Sequence, residues 1–143
     1  MHILVIHGPN LNMLGRRNQA IYGNLTLEDL YQKLVDHFFD VHFTFYQSNH
    51  EGDLIDMIQK ALDEPYDGLL INPGGYTHTS IAIRDALEIH VMPKVEVHLS
   101  DITQRETFRS IDVISDVCDQ RFMGKKIESY IEAIDYLKSV CIV

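Results

Sequence analysis

The chain has 143 residues with 45% hydrophobic content, enough for one sizeable core, and it reads as one domain over residues 1–143. Twelve lysines and arginines against 21 aspartates and glutamates leave a net charge of −9. That balance lacks the basic field of a nucleic-acid surface, and an anionic small molecule would need a local cationic pocket. Apolar runs such as residues 3–6 are far too short for a bilayer, and no basic flank precedes a long apolar stretch at the start. The expectation is therefore a cytoplasmic protein with no membrane partner, in which Cys118 and Cys141 are reduced thiols.

Residues 2–7 form the first strand candidate, and residues 8–25 follow as a long loop without clear periodicity. Connections between strand and helix usually take about 2–6 residues, so a loop of this length suggests a lid or binding segment. Thr26 caps the next element, with Asp29 completing a capping-box variant and Leu27, Leu30, Tyr31, Leu34 and Phe38 at helical spacing. A strand over 41–46 follows. A helix then starts near Glu51 and stops before Pro65, with Leu54, Ile55, Ile58, Ala61 and Leu62 on one face. The third strand spans 68–72. The helix after Thr77 offers Ile81, Ala82, Ala86 and Leu87 for burial. Strands over 93–98 and 111–115 and a last helix carrying Ile127, Tyr130, Ile131, Ile134 and Leu137 complete the order. Alternating strands and helices predict a parallel, doubly wound α/β sheet with helices on both faces. Five strands fit the flavodoxin-like order 2-1-3-4-5, in which ligands bind at the rim between the first and third strands.

Three stretches meet at that rim: Gly8-Pro9-Asn10-Leu11-Asn12, the run from Asn72 to Ser80, and Glu96-Val97-His98-Leu99-Ser100. Asn10 and Asn72 follow the first and third strands, where an amide can donate to a developing oxyanion without a proton of its own. Taken singly, each is also ordinary turn chemistry. Glu96 and His98 are two apart in a strand-like run and so share a face. A carboxylate there would fix the imidazole's tautomer and raise its basicity, as general acid–base histidines require. Such a pair is costly inside a central strand unless it is paired or used. The backbone N–H groups of Leu99 and Ser100, at the strand's end, suit a carboxylate ligand. A free tyrosine titrates near pH 10, so Tyr22 would need a cation such as Arg17 beside it to act as a base. The alternative is a loop tyrosine packed over the rim. No metal-ligand spacing, GxGxxG or Walker motif appears, and no metal or organic cofactor is expected.

The motifs Gly8-Pro9-Asn10-Leu11-Asn12, Gly15-Arg16-Arg17, Ile21-Tyr22-Gly23 and Gln47-Ser48-Asn49-His50-Glu51-Gly52 resemble, in order and spacing, the type II 3-dehydroquinate dehydratases. So do Asn72-Pro73-Gly74-Gly75-Tyr76-Thr77-His78-Thr79-Ser80, Ile83-Arg84-Asp85-Ala86, Glu96-Val97-His98-Leu99-Ser100 and Arg105-Glu106-Thr107-Phe108-Arg109. The resemblance implies dehydration of 3-dehydroquinate to 3-dehydroshikimate in the shikimate pathway, without cofactor, by trimers assembled into a dodecamer. Carried onto this chain, it implies Tyr22 as the base at C2, held as phenolate with the help of Arg17. Asn10 would hold the water that stabilises the enolate, and His98, oriented by Glu96, would protonate the departing C1 hydroxyl. Asn72, His78 and Arg109 would bind substrate hydroxyls, and Leu99 and Ser100 its carboxylate. Arg105 would support the lid, and Asp85 would reach a neighbouring subunit's site. The chain departs from the family pattern at His7, usually Asn, at Asn18-Gln19, usually Glu-Pro, and in the bulkier segment 116–123. The reading from a different class is a non-catalytic flavodoxin-like module that binds an anion or a partner.

Overall fold

The computed structural model describes residues 1–141. The expected domain, residues 1–143, thus extends two residues past those described. Five strands, β1 (His2–His7), β2 (His42–Gln47), β3 (Gly68–Asn72), β4 (Lys94–Val97) and β5 (Gln120–Phe122), pair in the order β2-β1-β3-β4-β5, every pair parallel. The helices are α1 (Gln19–Tyr22), α2 (Leu27–His37), α3 (Glu51–Lys60), α4 (Ile81–Glu88) and α5 (Ile127–Val140). This is the flavodoxin-like architecture that the strand–helix alternation predicts.

Strand alternation divides the core into two layers, because successive side chains point to opposite faces. Ile3, Val5, Leu70, Val95 and Val97 pack with Leu27, Leu30 and Leu34 of α2 and with Tyr130, Ala133, Ile134 and Leu137 of α5. Leu4, Ile6, Leu69 and Ile71 pack on the other side with Leu54 and Ile58 of α3 and Ile83, Ala86 and Leu87 of α4. The capping box at the start of α2 is present in full. Thr26 Oγ1 accepts from the Asp29 N–H, and the Asp29 carboxylate accepts from the Thr26 N–H.

Three expectations need correction. Residues 111–115 are not the fifth strand. Asp112 Oδ1 accepts from the backbone N–H groups of Ile114 and Ser115 at 2.8 and 3.0 Å, closing a side-chain turn where extended backbone was expected. The edge position falls instead to the three residues of β5, paired with Val95, Glu96 and Val97. In α4, the Ser80 hydroxyl caps the helix by accepting from Ile83 N–H. The resulting phase buries Ile83, Ala86 and Leu87, and turns Ile81 outward at 54% exposure. Leu62, expected on the apolar face of the helix from Glu51, lies past the end of α3 and is exposed. The long loop, which has no clear periodicity, holds a 3₁₀ turn at Leu11–Met13 and the short helix α1.

At the rim, the turns after β1 and β3 interlock. Gly8 N–H donates to the Asn72 carbonyl at 2.8 Å, and a Cβ on Gly8 would lie 2.2 Å from the Pro73 carbonyl oxygen. Reciprocally, Gly74 sits at φ +62°, where a Cβ would come within 2.8 Å of the Pro9 carbonyl oxygen. Gly8→Ala is expected to force the two turns apart and cost about 1–3 kcal/mol, as overpacking does. Urea unfolding of that variant beside the parent checks this, and an unchanged midpoint would show that the turns tolerate separation.

Candidate active site

The interlocked turns form the floor of a cavity at the rim between β1 and β3. Pro9, Asn10 and Leu11 line it from the first turn, and Asn72, Gly74, Gly75 and His78 from the second. The segment after β4 adds His98, Leu99, Ser100 and Ile102, followed by Arg105 and Arg109. The loop after β1 folds back to add Arg17 and Tyr22. Of the residues expected at the site, Glu96 and Asp85 do not line this cavity. Glu96 is wholly buried beneath His98, and Asp85 lies on the exposed face of α4.

Each lining group is held by its neighbours. Arg17 Nη2 donates to the Tyr22 hydroxyl at 2.6 Å, and its guanidinium carbon lies 3.7 Å from the ring centroid. The Arg105 guanidinium lies 5.1 Å from the same centroid and donates to Ser100 Oγ at 3.5 Å. Two guanidinium groups thus lie against one phenol. Burial, helped by the neighbouring charges of Arg105 and Arg109 and opposed by the phenol of Tyr22, leaves the Arg17 guanidinium below its ordinary range, though it stays a cation. Arg109 Nε donates to Glu106 at 2.7 Å, which steadies the last of the three cavity arginines. His78 Nδ1 donates to the Ile111 carbonyl at 2.7 Å, leaving Nε2 as an acceptor. Asn10 adopts φ 70°, and its backbone N–H donates to Asn49 Oδ1 at 3.0 Å, so its side-chain amide projects from a fixed left-handed turn.

The opposite wall is dry. His98 Nε2 and Glu96 Oε2 are 2.5 Å apart, and both residues are buried. Burial, reinforced by the hydrogen bond and charge of Asp112, pushes the Glu96 carboxyl up to about 10. Burial likewise pulls the His98 imidazole down to about 4, against the charge of Asp112 and with that of His78, Arg121 and Arg105. Both shifts run towards the uncharged forms, because burial opposes charge on either group. The expectation was a Glu96 carboxylate that raises the basicity of His98, and burial of that carboxyl works against its ionisation.

Comparison with known proteins fits this geometry. The sequence model described as "Dehydroquinase class II" matches residues 1–138. The chain belongs to the class II dehydroquinases. It is 50% identical over 140 residues to the 3-dehydroquinate dehydratase of Thermotoga petrophila, covering 96% of this chain and 95% of that one. To the enzyme of that name from Bacillus pumilus it is 47% identical, over 96% of this chain and 95% of that one. Among solved structures, the type II dehydroquinase from Butyrivibrio crossotus superposes with a TM-score of 0.93 at 48% identity, covering 96% of this chain and 97% of that one. The one from Propionibacterium acnes gives 0.92 at 36%, covering 96% of each chain. The chain is therefore a type II 3-dehydroquinate dehydratase, and dehydration of 3-dehydroquinate in the shikimate pathway is its reaction.

Beneath the dehydroquinase cavity lies a polar network that the sequence did not announce. Asn72 Nδ2 donates to the Tyr130 hydroxyl at 2.8 Å, and that hydroxyl is 2.8 Å from His7 Nε2. His7 Nδ1 is 3.3 Å from the Tyr31 hydroxyl. A neutral His7 satisfies the whole chain of donors: amide to hydroxyl, hydroxyl to Nε2, and Nδ1–H to the second hydroxyl. Asn72 Oδ1 meanwhile accepts from Gly74 N–H at 3.1 Å, so both ends of the amide are fixed. The only advance signal was His7 standing where the family usually has Asn.

Burial pushes the His7 imidazole down to about 3, from an ordinary value near 6.5. The unfolded chain takes a proton at His7 below about pH 6.5, whereas the folded chain refuses it until about pH 3. His7 therefore makes stability fall as pH falls through that window, at up to about 1.4 kcal/mol per pH unit. In His7→Asn this contribution disappears, so the stability difference between parent and variant shrinks or reverses as urea titrations move from pH 7 to pH 4. A difference that stays constant over those pH values would mean that His7 takes up its proton as readily in the folded protein as in the unfolded chain.

Proposed function

We propose that Tyr22 and His98 carry out the dehydration as base and acid across this one cavity. Tyr22, as phenolate, removes the proton from C2, next to the ketone, and the electrons of the C–H bond form an enolate. Asn10 holds the water that stabilises the enolate oxygen. Collapse of the enolate forms the C1–C2 double bond and expels the C1 hydroxyl, which takes a proton from His98 and leaves as water. The enzyme's task is then largely electrostatic, namely to favour negative charge first on a phenol and then on an enolate.

The observation that carries this reading is the 2.6 Å hydrogen bond from Arg17 to the Tyr22 hydroxyl, in a cavity that also presents His98. Arg105 strengthens the same field, and Arg17, Arg105 and Arg109 give an anionic substrate a cationic pocket in a chain of net charge −9. Asn72, His78 and Arg109 bind substrate hydroxyls, and the backbone N–H groups of Leu99 and Ser100 hold its carboxylate. In a non-catalytic binding module, a guanidinium-bound phenol facing a dry imidazole would have no use, so the dehydratase reading is favoured.

The working assembly is a dodecamer built of trimers, in the cytoplasm, with Asp85 serving a neighbouring copy's cavity. Its exposed position on α4, outside its own cavity, supports that role. Among the described residues no helix is long and apolar enough to cross a membrane.

The test of the chemistry is the ultraviolet absorbance of the conjugated enone on adding 3-dehydroquinate. Folded parent protein is expected to generate it, and Tyr22→Phe to lose about 10²–10⁴-fold in kcat, the range for general acid–base groups. Near-parental turnover in that variant would remove Tyr22 as the base. For the assembly, light scattering should give Asp85→Ala the parent's mass while its turnover falls. Full turnover at the parent's mass would show that the site is not shared.

A further inference from the structure

Asp112 is absent from the resemblance and from the cavity lining, yet it stands against the acid–base pair. One oxygen or nitrogen from each of Glu96, His98 and Asp112 lies within 4.8 Å of the others. The Asp112 side chain is 6% exposed. Its Oδ1 accepts from the N–H groups of Ile114 and Ser115, and its Oδ2 accepts from Arg121 Nη1 at 3.0 Å. Three donors on one carboxylate leave little lone-pair capacity for a metal ion, so the cluster is not a metal site.

Glu96 is in the opposite condition. It is wholly buried, Oε2 meets His98 Nε2, and among the described residues Oε1 has no hydrogen-bond donor. Two adjacent buried carboxyl groups do not both ionise, and the donors select Asp112 as the charged one. A proton on Glu96 Oε1 then completes every contact. It is donated to the Asp112 carboxylate, while Oε2 stays free to accept from His98 Nε2–H. The same proton placed on Oε2 would leave Oε1 bare against a carboxylate.

Resting on the reading of His98 as the acid, we propose that Asp112 is a positioning residue for it. Asp112 holds one proton in common with Glu96, so that Glu96 meets the imidazole as a neutral acid and His98 keeps its resting proton on Nε2. Nδ1 is then the atom left for the substrate. An imidazolium formed there with a proton from solvent has no adjacent Glu96 carboxylate to hold it. It therefore surrenders that proton readily to the departing hydroxyl. The charged and titratable groups around the pair act in both directions. Around Glu96, Asp112 favours the neutral acid and Arg121 opposes it, with the Cys118 thiol, itself pushed up by burial, alongside. Around His98, His78, Arg121 and Arg105 disfavour a charge and Asp112 favours one.

The test is the nitrogen-15 NMR titration of His98 in folded, ligand-free protein, with the resonance assigned by its loss in His98→Gln. In the parent, His98 should remain neutral with its proton on Nε2 from pH 8 down to about pH 5. Asp112→Asn keeps Oδ1 for the Ile114 and Ser115 N–H groups but lets Glu96 ionise, and should raise the His98 midpoint by at least about one pH unit. Glu96→Gln reproduces the proposed arrangement, with its carbonyl towards His98 and its amide N–H towards Asp112. It should leave the midpoint within about half a unit of the parent's. An Asp112→Asn midpoint equal to the parent's would overturn the proposal. So would a drop of about one unit or more in Glu96→Gln, since that is the response of an ionised Glu96. If Asp112→Asn does not fold, the Glu96→Gln result decides alone. None of these readouts depends on turnover, so an inactive parent would defeat the dehydration mechanism without touching this result.

Discussion

The clasp between the turns after β1 and β3 sets the geometry on which the cavity depends. Each turn brings a glycine against the other turn's proline, Gly8 on Pro73 and Gly74 on Pro9. The Gly8 N–H to Asn72 carbonyl bond continues the strand pairing one step past the end of β1. The contact works only because neither glycine carries a Cβ. From it follow the left-handed turn of Asn10, the tethered amide of Asn72 and the approach of His78 to the cavity. At a topological switch point a crevice normally opens outside the carboxyl ends of the strands. Here it is drawn together first, and the site is built on the drawn-together floor.

On that floor the two walls are electrostatic opposites. The loop wall is half-exposed and cationic, with guanidinium groups set against a phenol. The wall after β4 is dry, and there burial suppresses charge on Glu96 and His98 alike. One wall gathers cations beside a phenol, and in the other burial opposes charge on a carboxyl and an imidazole. The chain's net charge of −9 says nothing about either, because the short-range partners of each group decide its state.

Much of this was legible in the sequence where the causes were local. The capping box at Thr26 and Asp29, the buried runs of β1 and β3 and the shared face of Glu96 and His98 all follow from spacing within a few residues. The failures came where distant partners decide. Ile111, Val113 and Ile114 look like strand residues, but the Asp112 carboxylate turns the backbone, and Gln120–Phe122 takes the edge with a pattern too short to notice. The state of Glu96 depends on its burial and then on Asp112, sixteen positions away, and the tether of Asn72 on Tyr130, fifty-eight away. No window along the chain contains both members of either pair. The candidate base illustrates the boundary between the two cases. Arg17 and Tyr22 are five apart and were paired on chemistry alone, but the helical turn that joins them was not foreseen.

That turn has a further consequence. None of the four residues of α1 is buried, while both core layers are complete without it apart from the flank of Tyr22. A helix of one turn has little stability of its own, so the local free energy for opening this segment is small beside that of the sheet. The chain thus separates durability from reactivity. A protease cut at residues 18–21, or an exchange of the whole segment for another sequence, would leave a protein that melts much as before and no longer holds the proposed base against Arg17. Intactness of the fold and competence of the site are, in this molecule, two different assays.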